Sequence, residues 1–192
     1  MATLLNCLSG QSDSTALIIP SQTTPITLSH RELLQQILKF QKKLANIGIS
    51  PKDAVALAFP NTIEFAIAFL AATFQRATSA PLNPAYKQDE FEFYLEDLTV
   101  AVILLPQGAV AANGEAVRAA RKCHSAIAEI HWDGAEIALE IMDIGGLESQ
   151  NAAKLQKPLE DDVALVLHTS GTTGRPKAVS KPTLLAPSKS QN

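Results

Sequence analysis

Four hydroxyl residues, two glycines and two cations crowd into nine consecutive positions late in the chain: Thr169-Ser170-Gly171-Thr172-Thr173-Gly174-Arg175-Pro176-Lys177. Glycine lets the backbone turn successive N–H groups toward an anion. Thr169, Ser170, Thr172 and Thr173 add short hydroxyl donors with little side-chain entropy to lose. Lys177 offers a mobile point charge that suits a phosphate oxygen, and Arg175 a forked one. Pro176 fixes its own φ and opposes a helix through the loop. Such a set can cradle the phosphates of a nucleotide. Composition alone leaves a second reading open, a Ser/Thr/Gly-rich surface loop with no ligand. Spacing excludes two other motifs. A Walker A loop needs four residues between its glycines and a Lys-Ser/Thr after the second, leading into a helix. A nucleophile elbow needs a glycine where His168 stands. No residue of the stretch is a candidate general base.

A loop can hold phosphates only if firm elements present it. Val163-Ala164-Leu165-Val166-Leu167 is short and apolar and reads as a buried, central strand entering the loop. After the loop, Pro176 and Val179 argue for strand rather than helix. Upstream, residues 15–19 and 25–28 read as paired strands across a polar turn. Ser29 and Glu32 form a capping box, opening a helix that runs to about Ile47 and stops at Gly48. Its apolar face is Leu33, Ile37, Phe40, Leu44 and Ile47, with Leu34 and Leu38 alongside; Gln35, Lys39, Lys42 and Lys43 form the wet face. Residues 53–59 read as a strand. Asn61, with Glu64 three positions on, is placed to cap a helix ending near Arg76. A short proline-punctuated strand (79–84), a helix with Phe91, Tyr94, Leu95 and Leu98 on one face, an apolar strand (100–105) and a short helix (115–122) follow. Residues 127–130 and 137–141 are weaker strand candidates joined by Asp133-Gly134, and 143–158 reads as a surface loop. Alternating strands and helices at this spacing predict an α/β fold with a mostly parallel sheet flanked by helices.

Bulk properties narrow the function classes. A chain of 192 residues can bury a sizeable core, and 46% of its residues are hydrophobic against 18% charged, which describes a globular domain. A formal charge of −3 supplies no basic footprint, so nucleic acid is not an expected partner. Cys7 and Cys123 are too few for a disulfide framework and favour a reducing compartment. Cys123-His124 has no second Cys or His pair near it, so no metal site is expected there. The longest apolar run, residues 65–74, is too short to span a bilayer. No signal peptide is visible, and the chain ends in Ser190-Gln191-Asn192 rather than a peroxisomal Ser-Lys-Leu address.

Three stretches, in order, resemble one family. Thr169 to Ala178 resembles the Thr-Ser-Gly-Thr-Thr-Gly-x-Pro-Lys-Gly signature of AMP-forming acyl- and aryl-CoA ligases, with Ala178 in place of the final glycine. Residues 26–33 resemble the family's early Leu-Thr/Ser-Tyr-x-Glu-Leu motif, with His30 for Tyr. Residues 74–84 resemble its Ala-Gly-x-x-x-Pro-Leu-Asn motif, with Thr78 where Gly is usual. The resemblance spans about residues 12 to 180. Phe59-Pro60-Asn61-Thr62-Ile63-Glu64-Phe65 and Glu90-Phe91-Glu92-Phe93-Tyr94-Leu95 look most like the oxalate–CoA ligase branch, which is often peroxisomal.

The resemblance implies the N-terminal portion of an adenylate-forming domain over residues 1–180, followed by a loose tail at 181–192. It implies a two-step reaction. A carboxylate attacks the α-phosphate of Mg²⁺-bound ATP to give acyl-adenylate and pyrophosphate, and CoA thiolate then displaces AMP. It implies Thr169, Ser170, Gly171, Thr172, Thr173, Gly174 and Lys177 as contacts to the phosphates, and a cytoplasmic or peroxisomal location. The family's adenine-pocket motif, ribose-binding Asp, hinge and C-terminal catalytic Lys have no counterpart in these residues. The chain is therefore expected to be a truncated form, inactive alone. The alternatives are a non-catalytic module that binds nucleotide or docks on a full-length relative, and a nonfunctional product. Without the rest of the family's domain, residues 163–167 and 100–105 are expected near uncovered faces or unpaired edges.

Overall fold

The structure is a computed structural model, and it describes residues 12–20, 25–147, 151–169 and 177–182. Strands β1 (Thr15–Ile19) and β2 (Ile26–Ser29) pair antiparallel as a small separate sheet. Helix α1 (His30–Asn46) follows directly. The Ser29 hydroxyl accepts from Glu32 N, and a Glu32 carboxylate oxygen accepts from Ser29 N at 2.8 Å, which completes the expected capping box. Gly48 ends the helix at φ +96°, a left-handed conformation that glycine adopts without strain.

A seven-stranded sheet forms the middle layer. Its strands are β3 (Ala54–Leu57), β4 (Thr78–Pro81), β5 (Val100–Pro106), β6 (Ala126–Trp132), β7 (Ile137–Asp143), β8 (Val163–Thr169) and β9 (Lys177–Pro182), in the spatial order β7-β6-β5-β3-β4-β8-β9. β6, β5, β3, β4 and β8 run parallel, and β7 and β9 close the two edges antiparallel. Helices α2 (Ile63–Phe74), α3 (Gln88–Asp97), the single turn α4 (Ala109–Ala112) and α5 (Glu115–Lys122) connect the parallel strands. The mixed α/β architecture read from the sequence is the one observed.

Both faces of the central strands are covered, which is why those strands are apolar without interruption. On one face Ile37, Phe40 and Leu44 of α1 and Ile67 and Phe74 of α2 pack against Val55, Leu57, Val102 and Leu104. On the other, Phe91, Tyr94 and Leu95 of α3 and Val117 of α5 pack against Ala56, Ile103, Leu105 and Ile127. The two weak strand candidates are full strands of seven residues each.

Four local expectations are corrected. α2 is capped by Thr62, whose hydroxyl accepts from Phe65 N, and not by Asn61; Glu64 instead accepts from Trp132 N at 2.9 Å and ties α2 to β6. Leu38 lies outside the buried stripe of α1 at 46% exposure, whereas Lys43 leaves the wet face to donate to Glu136 Oε1 and Ile137 O, each at 2.6 Å. β8 is not central but next to the edge. Ala164 and Val166 are buried, while Val163 and Leu167 on its other face are exposed. The expectation of an uncovered face thus holds for residues 163–167 and fails for 100–105: β5 sits between β3 and β6 with Val102 to Leu105 buried. β9 runs from Lys177 to Pro182 along the sheet edge.

Candidate functional site

β8 and β9 are the two arms of a hairpin, with Thr169 opposite Lys177, His168 opposite Ala178 and Leu167 opposite Val179. Thr169 and Lys177, the first and last residues assigned to phosphate contact, are therefore drawn together as facing backbone positions. Ser170, Gly171, Thr172, Thr173 and Gly174, with Arg175 and Pro176, form the segment that joins the arms and lie outside the described residues. The hairpin stands at the carboxyl end of a parallel strand. In open α/β sheets that end is where ligands bind.

The start of β8 is fastened by residues of the stretch 74–84, whose conformational and polar needs were not evident from sequence. Arg76 adopts φ +63° and grips Asp162 in a forked pair, Nε to Oδ2 at 2.9 Å and Nη2 to Oδ1 at 3.0 Å. Hydrogen bonding to Asp162 holds the guanidinium pKa above its ordinary value, against the opposing effect of burial. Asp162 also accepts from Leu159 N at 2.7 Å. Thr78 Oγ1 donates to Val163 O, and Ser79 Oγ donates to Phe69 O. Gln75 is fully buried and donates to Ile49 O, with a second bond to Lys154 O. Gln41, also buried, donates to Phe74 O and Gln156 O. Together with Ala153 N donating to Ala45 O at 2.7 Å, these bonds strap the segment before β8 onto α1 and α2. This region reads from sequence as a plain surface loop. No periodicity in it reveals the two buried glutamines that tie it down.

Close to the hairpin's joining segment, His168 is enclosed. Its side chain is 3% exposed, and Nε2 lies 2.9 Å from Asp97 Oδ2, the last residue of α3. Its ring packs on Tyr94 with centroids 4.6 Å apart and against Phe93 at 6.0 Å. Tyr94 in turn packs on Tyr86, and burial first, then hydrogen bonding with Tyr86, pushes its phenol up to about 12, so it stays neutral. In the sequence His168 served only to exclude a nucleophile motif; a pairing with Asp97, 71 residues away, left no local signal.

Burial, and then the carboxylates of Glu96 and Glu92, push the Cys123 thiol up, which disfavours its thiolate. Among the described residues no group of three or more His, Cys, Asp or Glu side chains could hold a metal ion. No helix among them is long and apolar enough to cross a membrane.

Residues 6–182 match the model of the family described as "AMP-binding enzyme". The chain is 41% identical over 153 residues to an oxalate–CoA ligase of Arabidopsis thaliana, covering 79% of this chain and 29% of that protein. It is 33% identical over 193 residues to an oxalate–CoA ligase of Saccharomyces cerevisiae, covering 88% and 35%. The chain thus spans about a third of the length of these relatives. The ATP-bound crystal structure of MatB from Rhodopseudomonas palustris superposes with a TM-score of 0.70 at 21% identity, over 94% of this chain and 35% of that one. At that identity the superposition speaks to the fold.

Proposed function

The chain belongs to the AMP-binding enzyme family and is akin to its acid–CoA ligases, and from that premise we propose that it supplies the phosphate-holding part of an ATP-dependent, AMP-forming acid–CoA ligase. The observation that carries this reading is the β8–β9 hairpin: it opposes Thr169 and Lys177 at the carboxyl end of a parallel strand, with Ser170 to Gly174 between them. Short hydroxyl donors, backbone N–H groups and the Lys177 ammonium suit the outer phosphates of ATP. Held there, they stabilise the charge that builds on pyrophosphate as a carboxylate attacks the α-phosphate. The acid is oxalate or a fatty acid, and CoA accepts the acyl group in the second half-reaction. Mg²⁺ would enter with ATP, as part of the substrate. We place the protein in the cytoplasm or the peroxisome, in keeping with its two cysteines and its oxalate–CoA ligase relatives.

These 192 residues alone do not make acyl-adenylate under this reading. Holding a carboxylate in line with the α-phosphate accounts for about 7–11 kcal/mol of a barrier, and the family's adenine-pocket motif, ribose-binding Asp and C-terminal catalytic Lys have no counterpart in these residues. The test is carboxylate-dependent exchange of labelled pyrophosphate into ATP, with oxalate and fatty acids offered, alongside ATP and pyrophosphate binding by calorimetry. The expected results are weak binding, weakened roughly tenfold more by Lys177→Ala through loss of one charge-assisted contact, and no exchange. Wild-type exchange above the Lys177→Ala level would overturn the claim of inactivity. Binding indifferent to Lys177 would overturn the assignment of the site.

A second reading, a module that docks on a longer relative, is favoured by one observation: Val163, Leu167 and Val179 form an exposed apolar face on the β8–β9 hairpin. Exchange that appears only when a second polypeptide is added would select it.

A further inference from the structure

The geometry points to His168 as a positioning residue, which fixes the angle of the β8–β9 hairpin through Asp97 and an aromatic seat on α3. The inference deepens the phosphate-site reading above and rests on it for its functional consequence.

Three observations carry it. First, the backbone ladder that joins this hairpin to the rest of the sheet is short. Among the described residues the register between β4 and β8 consists of Ser79 opposite Leu165. Pro81, which ends β4, brings no N–H to lengthen that ladder. From Val166 onward, β8 is laddered to β9, which is itself the sheet edge. A two-stranded hairpin is not rigid by itself. Second, the fastenings of Arg76 and Thr78 act at the far end of β8, on Asp162 and Val163, and that of Gln75 acts earlier still, on Lys154. They set where the strand begins, not where it points. Third, His168 anchors the near end, one residue before Thr169. Its side chain faces α3, its Nε2 meets Asp97, and Tyr94 and Phe93 wall in the ring. The aromatic walls remove the ring's freedom to turn away, and a histidine–carboxylate contact is stronger than a neutral hydrogen bond. Thr169, the next residue of the strand, therefore inherits its backbone direction from α3. The same contact makes the last turn of α3 part of the phosphate site without touching phosphate.

The test uses the whole 192-residue chain as wild type, H168A, H168Q, D97A and the double variant H168A/D97A. Inorganic pyrophosphate is titrated calorimetrically, and amide hydrogen exchange is followed in β8 and β9 against β3 and β5. H168A and D97A are each expected to weaken pyrophosphate binding roughly five- to tenfold, the scale of one such hydrogen bond. The double variant should lose no more than either single one, because the two residues act as a unit. Exchange should quicken in the hairpin and stay unchanged in β3 and β5. H168Q, whose side-chain amide reaches toward Asp97, should recover part of both. Exchange in the hairpin unchanged by H168A would overturn the clamp whatever the affinity does. Faster exchange spread equally to β3 and β5 would do the same by showing general destabilisation. Faster hairpin exchange with undiminished affinity would overturn the positioning role. If wild type fails to bind pyrophosphate, the phosphate reading falls, and the exchange data still decide whether the clamp exists.

Discussion

At the scale of single residues, the buried glutamines show how much stability resides in groups that no apolar pattern reveals. Gln75 satisfies two backbone carbonyls, Ile49 O and Lys154 O, from a position with no solvent access. Gln75→Leu keeps the volume and strands both acceptors. The expected cost is about 1–3 kcal/mol, the penalty for buried polar groups left without a partner, read as a lower midpoint in urea with an unchanged slope. Titrating residues act in a definite window. Hydrogen bonds from Lys43 and then Lys39 hold Glu136 below its ordinary value of 4.5, and a hydrogen bond from Lys122 and then one from Gln88 do the same for Glu92. A carboxylate depressed in the folded state contributes stability above its unfolded value and loses it as pH falls through the folded one. The melting temperature is therefore expected to be level near neutrality and to fall below about pH 4.5, with Glu136→Gln flattening that acid slope. Lys122 is raised by the same contact with Glu92, so its share is present below 10.5 and lost only in stronger alkali. A slope unchanged in Glu136→Gln would show that the Lys39 and Lys43 contacts carry no linkage.

The scale of elements is where the sequence was most and least informative. Capping box, helix periodicity and apolar runs gave β1 to β6 and helices α1, α2, α3 and α5, though not the single turn α4, because each is encoded by neighbours within a few residues. The cap of α2 shows where such reading stops. Asn61 and Thr62 are both competent caps, and the choice between them follows from Glu64 being drawn to Trp132 N across 68 residues. Thr62→Ala is expected to cost about 0.5–1 kcal/mol and Asn61→Ala close to nothing, measured by thermal melts; the low end fits the 3.4 Å bond to Phe65 N. β8 was legible as a strand but not as a half-covered one. Five apolar residues in a row suit a strand buried on both sides, and nothing in that run marks Val163 and Leu167 as exposed. Of the candidate site, the strand that enters it and the strand that leaves it were legible. Its support from Asp97, Arg76 and Asp162 was not, since each pairs across more than seventy residues.

At the scale of the whole molecule, two helix layers cover the sheet from β7 to β4, and the coverage thins over β8 and β9. Leu167, at 43% exposure, and Val179 opposite it form an apolar step beside an open strand edge. Self-association that rises with concentration is the expected result in light scattering. Leu167→Lys should suppress it while leaving the midpoint of unfolding within about 0.5 kcal/mol, as for other surface substitutions. A monomer at every concentration in the wild type would show that the step is not sticky.

The place of β8 in the sheet has a consequence in time. β4 ends at Pro81 and its neighbour begins at Val163, with β5, β6 and β7 made in between. A chain emerging from a ribosome therefore completes one side of its sheet while β4 waits for a neighbour still to be synthesised. Closing so long a loop is slow compared with the local pairings before it. During that interval β4 is a vacant docking edge, of four residues only and with a proline at its end. Both features discourage a stray strand from another nascent chain from taking the place that β8 must fill.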